Sequence, residues 1–133
     1  MLDKILTSLK VGELTVDTRL EKADFKADET VSGKVILKGG NEDEEVSRIR
    51  LTLLEPKEGS NENKDFDESD KVLQMYEIKS EQVVEKAQTV EKPFEFRLAN
   101  FDLDKDTNAL VLRTHITIGD GKDSEDEAEI RIQ

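Results

Sequence analysis

The chain reads as an all-β protein, an antiparallel β-sandwich of two sheets. Three features of the sequence predict this. Apolar and polar residues alternate with period two in stretch after stretch, turn-forming clusters separate the stretches, and helical spacing appears once, at the N-terminus. The first two strands show the pattern well. Leu14, Val16, Thr18 and Leu20 share one face, and Val31, Gly33, Val35 and Leu37 share one face of the next strand. One apolar and one charged face per strand is the signature of an antiparallel sheet buried on one side.

The remaining elements follow in order. Leu2, Ile5, Leu6 and Leu9 lie at offsets 0, 3, 4 and 7, which predicts a short amphipathic helix over residues 1–10 that ends near Gly12. Its stripe serves as a lid on an open end of the sandwich, as a partner-binding face or, with only Lys4 and Lys10 as cations, as a membrane-surface contact. Gly39-Gly40-Asn41 is a turn, extended by an acidic loop through Glu45. Val46 to Glu55 is the third strand, with Ile49, Leu51 and Leu53 inward and Arg48, Arg50 and Thr52 outward, stopped by Pro56. Lys57 to Asp65 lacks periodicity and reads as a mobile loop. Lys71 to Glu85 mixes two periods; Tyr76, Ile78 and Val83-Val84 favour an edge strand bulged near Ser80. Thr89 to Leu98 points Phe94, Phe96 and Leu98 one way, and Phe101 and Leu103 anchor a polar turn. Ala109 to Ile118 is the strongest strand, with Leu110, Leu112, Thr114, Ile116 and Ile118 on one face. A long hairpin loop from Gly119 leads to a last strand carrying Ala128, Ile130 and Ile132 inward. That makes seven strands in one domain spanning residues 1–133.

Composition narrows the function classes. The chain has 133 residues, a formal net charge of −12 and no cysteine, so disulfides, thiol chemistry and zinc–cysteine sites are excluded. The charge is concentrated: residues 41–70 carry −7 and residues 120–129 carry −5, leaving the rest neutral. Such acidity repels phosphate backbones, so nucleic acid is not an expected partner. No apolar run approaches the ~20 residues of a membrane span. The N-terminus lacks the basic start and continuous apolar core of a signal peptide, so a cytoplasmic location is expected.

No motif points to catalysis or to a cofactor. Asp102, Asp104 and Asp106 match the opening of a calcium loop, but Thr107 replaces the required glycine and Arg113 stands where a bidentate glutamate belongs. Asp120, Asp123, Glu125, Asp126 and Glu127 form an acidic cluster that reads as a solvated loop rather than a metal site. His115, the single histidine, falls on the strand face opposite the core. The candidate contact residues are therefore Leu2, Ile5 and Leu9 on the N-terminal stripe, and Arg48 and Arg50 on the third strand. Arginine is favoured at interface centres, although the row can equally pair with glutamates on neighbouring strands.

Several segments, in order, resemble the arrestin-like domain of the bacterial sporulation-control proteins of the stage-zero M family. Val16 to Gly40 resembles its start. Lys92-Pro93-Phe94-Glu95-Phe96-Arg97-Leu98 is similar to its Pro-Phe-x-Phe-x-Leu strand, and Leu110 to Ile118 with the acidic Asp123 to Glu129 is similar to its long strand and final hairpin. The chain departs from the pattern at Lys26-Ala27-Asp28-Glu29, where members often carry Pro-Gly, and at Ala99-Asn100-Phe101, where further prolines are common. Members also commonly continue into a second half, so the chain reads as a minimal relative or an N-terminal domain. The resemblance implies an arrestin-like, more broadly immunoglobulin-like, sandwich. It further implies an intracellular, non-catalytic regulator or scaffold working through protein contacts. Self-association through edge strands or N-terminal helices is the alternative role.

Overall fold

The computed structural model describes residues 4–56, 71–103, 106–119 and 121–133. Among these residues the chain forms nine strands: β1 Lys4–Val11, β2 Leu14–Leu20, β3 Asp24–Phe25, β4 Thr30–Lys38, β5 Glu44–Glu55, β6 Lys71–Val84, β7 Thr89–Arg97, β8 Ala109–Ile118 and β9 Asp123–Ile132. A single 3₁₀ turn follows β7 at Leu98–Asn100. The strands build two sheets, one of four in the order β1-β2-β4-β7 and one of five in the order β3-β9-β8-β5-β6. Every pairing is antiparallel except that of β3 with β9, which is parallel and two residues long. So short a ladder holds little by itself; Phe25, 1% exposed, anchors β3 by burying its ring, worth about 1.5–3 kcal/mol.

The inward residues of both sheets share one core. Leu14, Val16, Val31, Val35 and Leu37 from the four-stranded sheet meet Ile49, Leu51, Leu53, Leu110, Leu112 and Ile116 from the five-stranded one. Two contacts tie the sheets directly. The Thr18 and Thr114 hydroxyls hydrogen-bond at 3.1 Å within the core, and the rings of Tyr76 and Phe96 meet edge to face at 6.2 Å. The Pro-Phe-x-Phe-x-Leu segment plays the part its pattern indicates, with Phe94, Phe96 and Leu98 all buried. Phe101 and Leu103 pack against the core's margin, as expected of anchors. Gly33 is required where it stands: a Cβ there would lie 2.1 Å from the Arg19 carbonyl oxygen on β2.

The expected N-terminal helix is absent, and a strand takes its place. Lys4–Val11 pairs with β2 across a two-residue hairpin, Gly12-Glu13, in which Gly12 adopts φ +60°. A glycine with positive φ at the first turn position suits the tight hairpins that match strand twist, so Gly12 turns a hairpin rather than ending a helix. A helix of this length is marginal alone, whereas the strand gains a ladder along β2 and buries Leu9 and Val11.

The acidic hairpin loop also needs correction. Asp123 to Glu129 belongs to β9, whose first residue pairs with Thr117. The connection is a tight turn around Gly121 at φ +95°, in which the Ile118 amide donates to the Lys122 carbonyl and the Gly121 amide to the Ile118 carbonyl. Acids on the outward positions of a strand look loop-like by composition, but their period of two matches β8. The predicted acidic loop through Glu45 likewise contains the start of β5. The expected mobile loop, residues 57–65, lies outside the described residues. At the turn where the family pattern has Pro-Gly, Glu29 does the closing. Its carboxylate accepts from the Lys26 amide and Lys22 Nζ, and its own amide donates to the Lys26 carbonyl.

Candidate functional site

The outer face of the five-stranded sheet collects most of the chemistry the sequence singled out. Along β5 the outward residues are Arg48, Arg50, Thr52 and Leu54. Those of β8 are Val111, Arg113, His115 and Thr117, and β9 presents Asp123, Glu125, Glu127 and Glu129. Directly opposed residues share a face, so the central cations are flanked by acids. Arg48 Nε meets Glu77 on β6 at 3.0 Å. Arg113 Nε is shared between Glu125 at 3.0 Å and Glu127 at 2.8 Å. His115 Nε2 lies 2.8 Å from Asp123. The row therefore pairs largely across strands. Arg50 is the exception: it makes no ion pair among the described residues, and its Nε is buried without a hydrogen-bond partner.

Asp123, Glu125 and Glu127 of the acidic cluster are thereby ion-pair partners, and Asp126 accepts from the Glu127 amide at 2.8 Å. No group of three or more His, Asp or Glu able to hold a metal ion occurs among the described residues. Asp120, Asp104 and Lys105 lie outside the described residues. The remainder of the Asp102–Thr107 segment is tied to the end of β5, where the Thr107 hydroxyl donates to the buried Glu55 carboxylate. The Asp102 carbonyl accepts from Lys71 Nζ at 3.3 Å.

The other sheet carries one buried carboxylate on its outer side. Asp17 on β2 is 4% exposed and accepts from Ser8 Oγ at 2.7 Å. Lys38 Nζ stands 3.1 Å away and Arg19 3.5 Å away. Burial pushes this carboxyl up, but the Ser8 and Lys38 hydrogen bonds and the two positive charges outweigh it and hold it below its ordinary value.

The contact residues expected at the N-terminus are scattered. Leu2 lies outside the described residues, Ile5 stands opposite Arg19 in β1, and Leu9 is in the core at 9% exposure. A helical stripe no longer unites them.

A different strand carries the exposed apolar surface. Among the described residues, the large hydrophobic side chains that stand exposed are Val72, Met75 and Val83, each more than half exposed and all on β6. This strand forms one edge of the five-stranded sheet. Val72 stands opposite Leu54 and Met75 opposite Thr52, both of which are buried, so the exposed apolar surface is confined to the edge strand itself. The register against β5 slips between Gln74 and Val72 and again between Lys79 and Gln82, placing one irregularity near Ser80 as the sequence predicts. The apolar exposure itself escaped sequence reading. Its signal was present in the broken alternation of Lys71 to Glu85, which assigns no clear inward face to Val72 or Met75.

The neighbouring edge strand of the four-stranded sheet is better protected. β7 exposes Glu91, Glu95, Arg97 and Pro93, the charges and proline that discourage pairing. No helix among the described residues is long and apolar enough to cross a membrane.

Two facing sheets with a shared core, a cross-strand ion-pair ladder and one apolar edge define an all-β domain whose distinctive chemistry lies on its surface. The chain belongs to the Spo0M family: the model described as "SpoOM protein" matches residues 2–133. Among solved structures it is similar to Spo0M, the sporulation control protein of Bacillus subtilis, at 25% identity and a TM-score of 0.65. That match covers 92% of this chain and 50% of the B. subtilis protein, so the chain spans about half its relative's length. Two more distant likenesses concern the fold alone. A superoxide reductase (neelaredoxin) from Ignicoccus hospitalis matches at 16% identity and a TM-score of 0.52, over 98% of this chain and 82% of that one. A mutant β-glucosidase from Listeria innocua, solved with laminaribiose, matches at 10% identity and a TM-score of 0.51, over 91% of this chain and 16% of that one. No curated protein matches the chain.

Proposed function

We propose that this chain is a non-catalytic regulatory or scaffolding module of the sporulation-control type, an arrestin-like β-sandwich acting in the cytoplasm through protein contacts at β6. The observation that carries the reading is the concentration of the exposed large hydrophobics Val72, Met75 and Val83 on one edge strand. An edge strand offers unpaired amides and carbonyls to a partner's extended segment, and neighbouring side chains supply selectivity. Apolar groups left on such an edge are a liability unless something covers them. Family membership supports the regulatory half of the reading, because the B. subtilis relative is named for control of sporulation.

Capture of partners by the tagged chain from its native cytosol, at two salt concentrations, tests this. A partner held through β6 persists at high salt and is lost when Val72→Lys and Met75→Glu are combined. Recovery unaffected by the double variant would move the contact elsewhere, to the Arg50 region if it is also salt-sensitive.

A further inference from the structure

We propose that the outer face of the four-stranded sheet is a second contact surface, one that docks an acidic segment of a protein partner. It lies on a different sheet from β6 and goes beyond the contact assigned there. Among the described residues, β1, β2 and β4 present four cations on that face, Lys10, Arg19, Lys34 and Lys38, and one acid, Asp17. β7 adds Glu91, Glu95 and Arg97 at the edge. The outer face of the five-stranded sheet has the reverse balance, since Glu77 and the outward acids of β9 outnumber Arg48, Arg50 and Arg113. In a chain of net charge −12, cations gathered on one sheet face reverse the protein's field locally.

Register and pairing suit that face to carboxylates. Thr15 stands between Lys10 and Lys38 in one row across the three strands, and Arg19 stands opposite Lys34 four residues further along β2. The two rows are therefore about 13 Å apart, the span between side chains i and i+4 of an extended segment. Between them Asp17 and Ile36 are each 4% exposed. Asp17 is already met by Lys38 at 3.1 Å and Arg19 at 3.5 Å, so it offers an incoming carboxylate little repulsion. Spare donors remain. Lys10 is exposed and makes no ion pair among the described residues, and Arg19 has Asp17 as its one partner there, with its Nε unbonded. A guanidinium fork fits a carboxylate at two points.

The same chemistry selects the occupant. The face is an open sheet surface, which suits an extended chain better than a small acid seeking a cleft. Anionic membranes are held by clusters of roughly four to eight basic residues, each adding about 1 kcal/mol. Four cations backed by a strongly acidic chain fall at the bottom of that range, and a nucleic-acid backbone is repelled more strongly still. Spaced aspartates or glutamates on a protein segment match the number and spacing of the cations.

Titration of the isotope-labelled chain with a peptide of alternating glutamate and serine, followed by NMR, tests this. Signals of residues 8–10, 15–19 and 34–38 should shift together, those of β5 and β8 should not, and the shifts should fade with added salt. Lys10→Gln with Lys34→Gln leaves the partners of Asp17 in place and should weaken binding about tenfold. Arg48→Gln with Arg131→Gln makes the same change of charge on the other sheet and should alter binding less than about twofold. The spectrum of each variant also reports that it is folded. No shift at millimolar peptide, shifts centred on another face, or equal weakening by the two pairs would overturn the proposal. Phosphatidylserine vesicles broadening these signals where the peptide leaves them unmoved would overturn it in favour of a lipid surface. The same shifts on raising the concentration of the chain alone would overturn it in favour of a second copy.

Discussion

β8 and β6 flank the same strand, β5, and treat it differently. β8 is paired on both sides, keeps strict alternation over all ten residues, and buries every inward side chain from Leu110 to Ile118. Its outward cations find acids on β9. β6 is paired on one side only, slips register twice and leaves Val72, Met75 and Val83 in water. A strand with two neighbours has its register fixed from both sides, and a one-residue slip would turn its whole apolar set outward. A strand with one neighbour is free to bulge, and its exposed residues are available for some other purpose. The contrast separates residues that hold the fold from residues that can contact a partner.

The sharpest way to break the comparison is to truncate one apolar residue on each strand. Leu112 is fully buried between Leu53 and Ala128 in register, and Leu112→Ala should cost about 3 kcal/mol in denaturant unfolding. Val72→Ala, at a side chain 54% exposed, should change stability by less than about 0.5 kcal/mol. Similar costs at the two sites would mean that β6 is as integral to the core as β8.

The next effect asks whether outer-face polar groups hold the fold when they are fully partnered. Asp17 has its carboxyl held below the ordinary value of 3.8, so its contribution is fully present above that pH and is lost as pH falls through the lower folded value. Asp17→Asn should cost about 2 kcal/mol at neutral pH and flatten the acid limb of stability against pH. An unchanged acid limb would mean that Ser8, Lys38 and Arg19 do not act on the carboxylate as their geometry indicates. The smallest effect lies at the hydroxyl pair between the sheets. Thr114→Val should cost about 1 kcal/mol by stranding Thr18, and much of that should return in the double Thr18→Val, Thr114→Val chain.

Legibility in the sequence followed the same divide. β2, β4, β5 and β8 could be read because burial on one face imposes period two, and the predicted inward residues are those found in the core. β1 was misread because Leu2, Ile5, Leu6 and Leu9 satisfy helical spacing, and only the presence of β2 beside them decides for a strand. β9 was half hidden because its outward acids resemble a loop until the opposing Arg113 and His115 are placed. β3 is two residues long and carries no periodicity at all. Of the arginine row expected to pair with glutamates, Arg48 does so and Arg50 makes no ion pair among the described residues. That β6 is an edge strand was legible, but the exposure of Val72 and Met75 on it was not, since the broken alternation assigns neither an inward nor an outward face.

Hydrogen exchange of the chain, alone and when bound to whatever it associates with, tests the central claim most directly. The account predicts that β8 amides are slow in both states, while amides of residues 71–84 on β6 exchange faster alone and slow on binding. Slowing confined to β1, β7 or the turns, with β6 unchanged, would contradict it.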